Sequence, residues 1–133
     1  MLEYLAALMM IGHGIGHIVG VLAAWTSVNP GFVDKPWILS GDHRVKDRVG
    51  VAWGFIWLAA IAPFLLSGIA ILLGDTWWRE TALIGAAASI VAIVPWWNTV
   101  VVGARAGVAL DLAIILVLLL PWGEEVTDFF GLP

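Results

Sequence analysis

The stretch LEYLAALMMIGHGIGHIVGVLAAW, Leu2 to Trp25, contains one charged residue, Glu3, and two histidines among its 24 residues. As a helix rising about 1.5 Å per residue, it reaches about 36 Å. That is enough to cross a hydrocarbon core of about 30 Å. It exceeds the apolar core of a secretory signal, about 7 to 15 residues, and lacks a basic lead, so it reads as a retained helix. VLAAWTSV at its end resembles a cleavage site only loosely.

Three further runs extend this reading along the chain: Val49 to Leu73 with Pro63 inside it, Thr81 to Trp97, and Ala106 to Trp122. The last two are short by a turn, and Pro95 marks where the third kinks or ends, because proline removes a backbone donor. The expected fold class is all-α, an integral membrane four-helix transmembrane bundle, with residues 1–133 as a single domain. Composition agrees: 62% of residues are hydrophobic and 12% charged, against about 25% charged in soluble domains. The net charge of −4 and the absence of a basic cluster exclude nucleic acid as a partner. With no cysteine, disulfides, thiolate metal sites and cysteine nucleophiles are excluded too.

Residues 26–48, TSVNPGFVDKPWILSGDHRVKDR, form the one long loop. Its PWIL segment is expected at the bilayer surface. Ser40 or Asp42 is the expected N-cap of a second helix beginning near His43 and projecting into water. Lys35, Arg44, Lys46, Arg48 and Arg105 fall on one side of the expected spans and Arg79 alone on the other. The excess marks the cytoplasmic side. Loops one and three should then be cytoplasmic, with both termini, the GDTWWRE turn and the acidic tail outside, in a prokaryotic inner membrane. Trp25, Trp37, Trp77, Trp78, Trp96, Trp97 and Trp122 fall at span ends, where indole suits the headgroup region.

Gly12, Gly16 and Gly20 recur every four residues, a small-xxx-small ridge that lets another backbone approach. Gly50 and Gly54 repeat the pattern on the second span, and GAAAS (Gly85 to Ser89) supplies more small residues on the third. Packing within the chain is favoured over packing between subunits, but a homodimer or a larger membrane complex remains an open partner beside the lipid itself.

His13 and His17, also four apart, share a face beside that ridge, which turns them toward the bundle interior. His17 lies eight residues before Trp25, about 12 Å inside the membrane boundary, and Asp111 lies six residues after Arg105, at about 9 Å. Trp57 reaches the same layer, and Asn98 sits nearer the cytoplasm. A carboxylate in hydrocarbon needs a partner, and the histidines can supply it. Arg105 is a poor partner, because six residues turn the two side chains about 120° apart.

Three functional readings follow. A cation or proton bound by His13, His17 and Asp111, with Asn98 and Trp57 nearby, would serve transport or sensing. As a divalent metal site, His13, His17 and Asp111 would be the ligands; HGIGH lacks the glutamate of HExxH, so zincin chemistry is not supported. Haem fits less well, since bis-histidine ligation needs a histidine facing the first helix and His43 lies too near the membrane edge. A lipid-modifying enzyme could use His and Asp as acid and base, but no serine has a nucleophile's setting: Ser67 lies near the outer end and Ser89 in a packing run. An accessory or assembly subunit would use the same polar cluster structurally. The balance is against an enzyme.

The GHGxxH start (Gly12, His13, Gly14, His17), the glycines opening the second span, the WWR turn at Trp77 to Arg79 and Asp111 in the last span together resemble a loose group of small four-span prokaryotic membrane proteins of unassigned function. The resemblance covers most of the chain. It implies the four-span fold and the relevance of Gly12, His13, His17 and Asp111, and carries no activity. Small multidrug resistance transporters are similar in size alone, for the first span here holds no acidic residue at depth.

Overall fold

The computed structural model describes residues 1–133 and contains helices and loops only. The first run folds as two helices, α1 (Leu2–Gly16) and α2 (Ile18–Trp25), joined at His17. His17 keeps right-handed backbone angles (φ −71°, ψ −13°), so the two continue as one span. Glycine costs about 1 kcal/mol of helix propensity relative to alanine, and the break falls directly after the glycine-rich GHGIG. The other elements are α3 (Arg48–Leu73), α4 (Trp78–Ile93) with a 3₁₀ turn at Val94–Trp96, α5 (Val102–Leu119) and a short α6 (Gly123–Phe130). Four helical stretches are long and apolar enough to cross a membrane: Leu2–Trp25, Arg48–Leu73, Trp78–Trp96 and Val102–Leu119. The molecule is a four-helix transmembrane bundle.

α3 lies at its centre, packed against α1 and α2 on one side and α4 on the other, and α4 in turn carries α5. Pro63 stays inside α3, as membrane helices tolerate where neighbours satisfy the freed carbonyl. Phe64 of α3 is fully buried and fills the space left by Gly14 on α1 and Gly85 on α4.

Several boundaries differ from expectation, each for a local reason. The second span begins at Arg48 and is capped by Asp47, not by Ser40 or Asp42. Asp47 Oδ1 accepts from the backbone N–H of Val49 (2.9 Å) and Gly50 (3.1 Å), and Oδ2 from that of Arg44 (2.7 Å). The turn is so tight that a Cβ at Gly50 would collide with the Arg44 and Val45 carbonyls. The preceding residues therefore form no projecting helix. They fold back over the bundle end, with Val33 N–H bonded to the Thr99 carbonyl, Ile38 N–H to that of Pro95, and Thr99 Oγ1 to that of Lys35. Trp37 turns inward onto Trp53 and Trp96.

Two expected interfacial anchors are core residues: Trp78 and Trp96 are 2% and 1% exposed. Trp25, Trp77, Trp97 and Trp122 do remain exposed at span ends. α5 starts earlier than expected, at Val102, so Arg105 is helical and its guanidinium lies 5.7 Å from the centre of the Trp97 ring. It ends at Leu119 because Pro121 disfavours helix in the preceding residue; Leu120 is extended (φ −89°, ψ 151°). The acidic tail then turns back as α6. Phe130 and Leu132 join the cluster around Met10, Trp78 and Ile114, and Trp78 Nε1 donates to the Pro133 carbonyl at 2.9 Å.

The glycine ridge is also revised. A Cβ built on Gly12 or Gly16 meets nothing within 4 Å. The tight approaches occur instead at Gly14 against Phe64, Gly20 against Trp57, Gly54 against Trp25 and Gly68 against Ile11 and the Ala7 carbonyl. The side of α1 facing α3 carries Ala7, Met10 and Gly14, which turns Gly12 and Gly16 away from it. Gly50 serves the capping turn rather than a helix contact.

Two outcomes follow from this packing. Gly12→Ala should stabilise the bundle by up to about 1 kcal/mol, while Gly20→Ala should destabilise it by about 1 to 3 kcal/mol through overpacking on Trp57; unfolding in mixed detergent micelles reads both. Burial pushes the Asp47 carboxyl up, but the N–H groups of Gly50, Arg44 and Val49, together with His43, outweigh it and hold the carboxyl below its ordinary value. A depressed acid stabilises the fold above its unfolded-state pKa and loses that contribution as pH falls through the folded value. Asp47→Ala should therefore cost about 1 kcal/mol near neutrality, with the difference from the parent protein shrinking in acid.

Candidate functional site

Each of the four spans contributes to one polar layer. α1 supplies His13 and α5 supplies Asp111, with His13 Nε2 2.7 Å from Asp111 Oδ1. α4 supplies Ser89, whose Oγ donates to Asp111 Oδ2 at 2.5 Å. α3 supplies Phe64, edge-on to the His13 ring at 4.5 Å between centroids, and Trp57, edge-on to His17 at 5.8 Å. The two imidazoles themselves meet edge-on at 5.0 Å.

Asp111 is fully buried. A carboxylate without water costs several kcal/mol unless it is paired and hydrogen-bonded. Here both oxygens are engaged, one by an imidazole and one by a hydroxyl. A carboxylate facing Nε2 selects the tautomer protonated at that nitrogen, so Nε2–H donates to Asp111. The Nδ1 lone pair of His13 is left free, with no hydrogen bond inside the chain and Gly107 of α5 beside the ring. The bonds run from Ser89 to Asp111 to His13. The hydroxyl does not touch the imidazole, so the three side chains are not in the serine–imidazole–carboxylate order of a catalytic triad.

His17 is 4% exposed, and its Nε2 has no partner in the chain. It borders a cavity of about 270 Å³ between α1 and α5, lined also by His13, Trp57, Gly16 and Gly107. Of the residues singled out in the sequence, His13, His17, Asp111 and Trp57 thus come together. Asn98 does not: it lies in the turn after the 3₁₀ segment, where its Oδ1 accepts from Thr99 Oγ1 at 3.4 Å. Gly12 and Gly16 line the cavity instead of packing on a helix.

The donors do not suit the metal reading. Nε2 of His13 is spent on Asp111, and no three His, Cys, Asp or Glu side chains are grouped to hold one ion. A bis-histidine haem site is not formed either, since His43 sits in the loop with its Nδ1 3.4 Å from Asp47 Oδ2.

Ser89 is the member of the polar layer that sequence reasoning missed. Its signal was available: Ser89 lies eight residues before Trp97, as His17 does before Trp25, placing both about 12 Å from the same boundary. Phe64 carries no such signal. No family model, curated protein or solved structure matches the chain.

Breaking the pair from one side should be worse than removing it whole. His13→Leu, which leaves Asp111 without its imidazole, should cost about 3 to 5 kcal/mol, and His13→Leu/Asp111→Leu should recover part of that loss. Ser89→Ala should cost about 1 to 3 kcal/mol through the orphaned carboxyl oxygen. Unfolding in mixed micelles gives all three values.

Proposed function

We propose that this chain gains and releases a proton at the His13–Asp111 pair inside the bilayer, as the working site of a small transporter or sensor. The observation that carries the reading is the bond at 2.7 Å between His13 Nε2 and a fully buried Asp111, which leaves Nδ1 free beside a cavity. A proton taken up at Nδ1 converts a net negative group into a neutral imidazolium–carboxylate pair. In a membrane interior, a unit change of charge is worth several kcal/mol, enough to bias one helix arrangement over another. The ionisable groups facing His13 are His17 from the same span and Asp111 from α5; α3 and α4 present Phe64, Trp57 and Ser89.

Proton binding is better supported than cation binding, because the donors already satisfy one another and form no three-ligand group. The excess of Lys and Arg supports an orientation with the 26–47 loop in the cytoplasm and both termini outside, and the resemblance to small prokaryotic four-span proteins supports an inner-membrane location.

With three histidines in the chain, side-chain ¹⁵N spectra of histidine-labelled protein in lipid nanodiscs resolve each of them. The His13 signals should respond to bulk pH, and Asp111→Asn should move or abolish that response. Proton uptake by reconstituted vesicles under a pH gradient, lost in Asp111→Asn, would favour transport, whereas a titrating His13 without flux would favour sensing. A His13 fixed in one state throughout would overturn the proposal and make the cluster a structural tie, as in an accessory subunit.

A further inference from the structure

Arg79 is the only Lys or Arg at its end of the bundle. It stands second in the span Trp78–Trp96, and it borders the same cavity as Leu119, the last residue of the span Val102–Leu119. Its guanidinium therefore lies at a membrane boundary, where the indoles of Trp77 and Trp122 are also exposed. No carboxylate of the chain pairs with it, for the four ion pairs are formed by other residues. Its one hydrogen bond, from Nη2 to Thr127 Oγ1, is long at 3.4 Å, and its other contact is with the Trp78 ring, 5.7 Å from the centre. Most of its donors have no partner in the chain.

Glu124 is the counterpart. It is exposed at the start of α6 and belongs to none of the ion pairs. The backbone there is pressed onto α5, since a Cβ on Gly123 would overlap the Val117 carbonyl, and Thr127 Oγ1 donates to the Glu124 carbonyl at 3.0 Å. Both charged side chains border one cavity of about 210 Å³, walled otherwise by the end of α5 from Val117 to Leu120, by Pro121 and by Gly123 and Thr127 of α6. A cation and an anion thus line one space without meeting. Two of the lining residues, Leu119 and Leu120, are exposed, so the space adjoins the lipid-facing surface.

We propose that this cavity binds the zwitterionic head of a phospholipid, its phosphate on Arg79 and its ammonium on Glu124, with the acyl chains leaving over Leu119 and Leu120. A guanidinium offers a planar fork of donors that matches phosphate. The carboxylate across the cavity disfavours a purely anionic head and calls for a donor at the other end of the ligand. That donor is a primary ammonium, which carries N–H groups, and not a quaternary one, which has none. The exposed leucines assign the head to a lipid rather than to a free phosphate–ammonium zwitterion. No residue of the His13–Asp111 layer borders this cavity, so the inference stands apart from the proton reading.

The test is native mass spectrometry of the detergent-solubilised chain, titrated with phosphatidylethanolamine, phosphatidylcholine and phosphatidylglycerol of identical acyl chains. The expected result is a single ethanolamine-lipid adduct, held about fivefold more tightly than either of the others. Arg79→Gln should weaken all three lipids. Glu124→Gln should erase the preference for the ethanolamine head over the glycerol head, because it removes both the attraction for the ammonium and the repulsion of the anion. Glu125→Gln makes the same change of charge one residue along, outside the cavity, and should leave the preference intact. All three side chains are exposed or half-buried, so these variants should keep the fold.

Equal binding of the three lipids, a preference that survives Glu124→Gln, or an equal loss in Glu125→Gln would overturn the proposal. Displacement of the lipid by free phosphoethanolamine at equal concentration would overturn the lipid assignment, since the leucines would then contribute nothing.

Discussion

The bundle is closed by the bond between His13 and Asp111. α3 holds α1, α2 and α4 by close packing, and α4 holds α5, but α1 and α5 have little direct contact beyond this pair. Inside a bilayer the hydrophobic effect does not press helices together, since lipid is as apolar as leucine, and association depends on close packing and interhelical hydrogen bonds. The polar pair therefore ties the first span to the last where packing leaves a seam. Asp111 also reaches α4 through Ser89, so one carboxylate joins three spans.

That economy explains why the seam stays open on either side of the pair. Where the first span faces α3, small residues meet large ones: Gly14 of α1 receives Phe64, and Gly20 of α2 receives Trp57. Where α1 faces α5, Gly107 sits against the His13 ring, but Gly12, Gly16 and Gly103 meet nothing, and a cavity results. The same residue type thus produces contact in one direction and space in the other. The difference lies entirely in what the opposing helix presents.

The loop and α6 extend the same logic to the bundle ends. Residues 26–47 return onto the 3₁₀ turn, burying Trp96, and α6 returns onto Trp78. Both indoles would suit a membrane boundary if left bare. Covered, they become core, and the polar layer is shielded from water at its loop end.

The sequence by itself determined the class of fold and the depth of the polar residues. Long apolar runs can satisfy their backbone groups in lipid only as helices, and the fixed rise of a helix converts residue spacing into depth. That is why four spans, and a common layer for His17, Trp57 and Asp111, were legible before any coordinates; Ser89 was legible by the same measure and was passed over. The direction in which side chains point across a bundle was not legible, because it depends on how each helix is rotated about its axis. Only the tertiary structure decided that Asp111 meets His13 rather than His17, that Asn98 stays outside the layer, and that Asp47 rather than Ser40 or Asp42 caps α3. It also decided that Gly12 and Gly16 open a window instead of forming a contact. The cap follows from the tight turn at residues 44–50, whereas the Asp111 partner and the outward turn of Gly12 and Gly16 follow from which face of the first span packs on Phe64 and Trp57, a property of the assembled helices that no single helix carries in its own pattern.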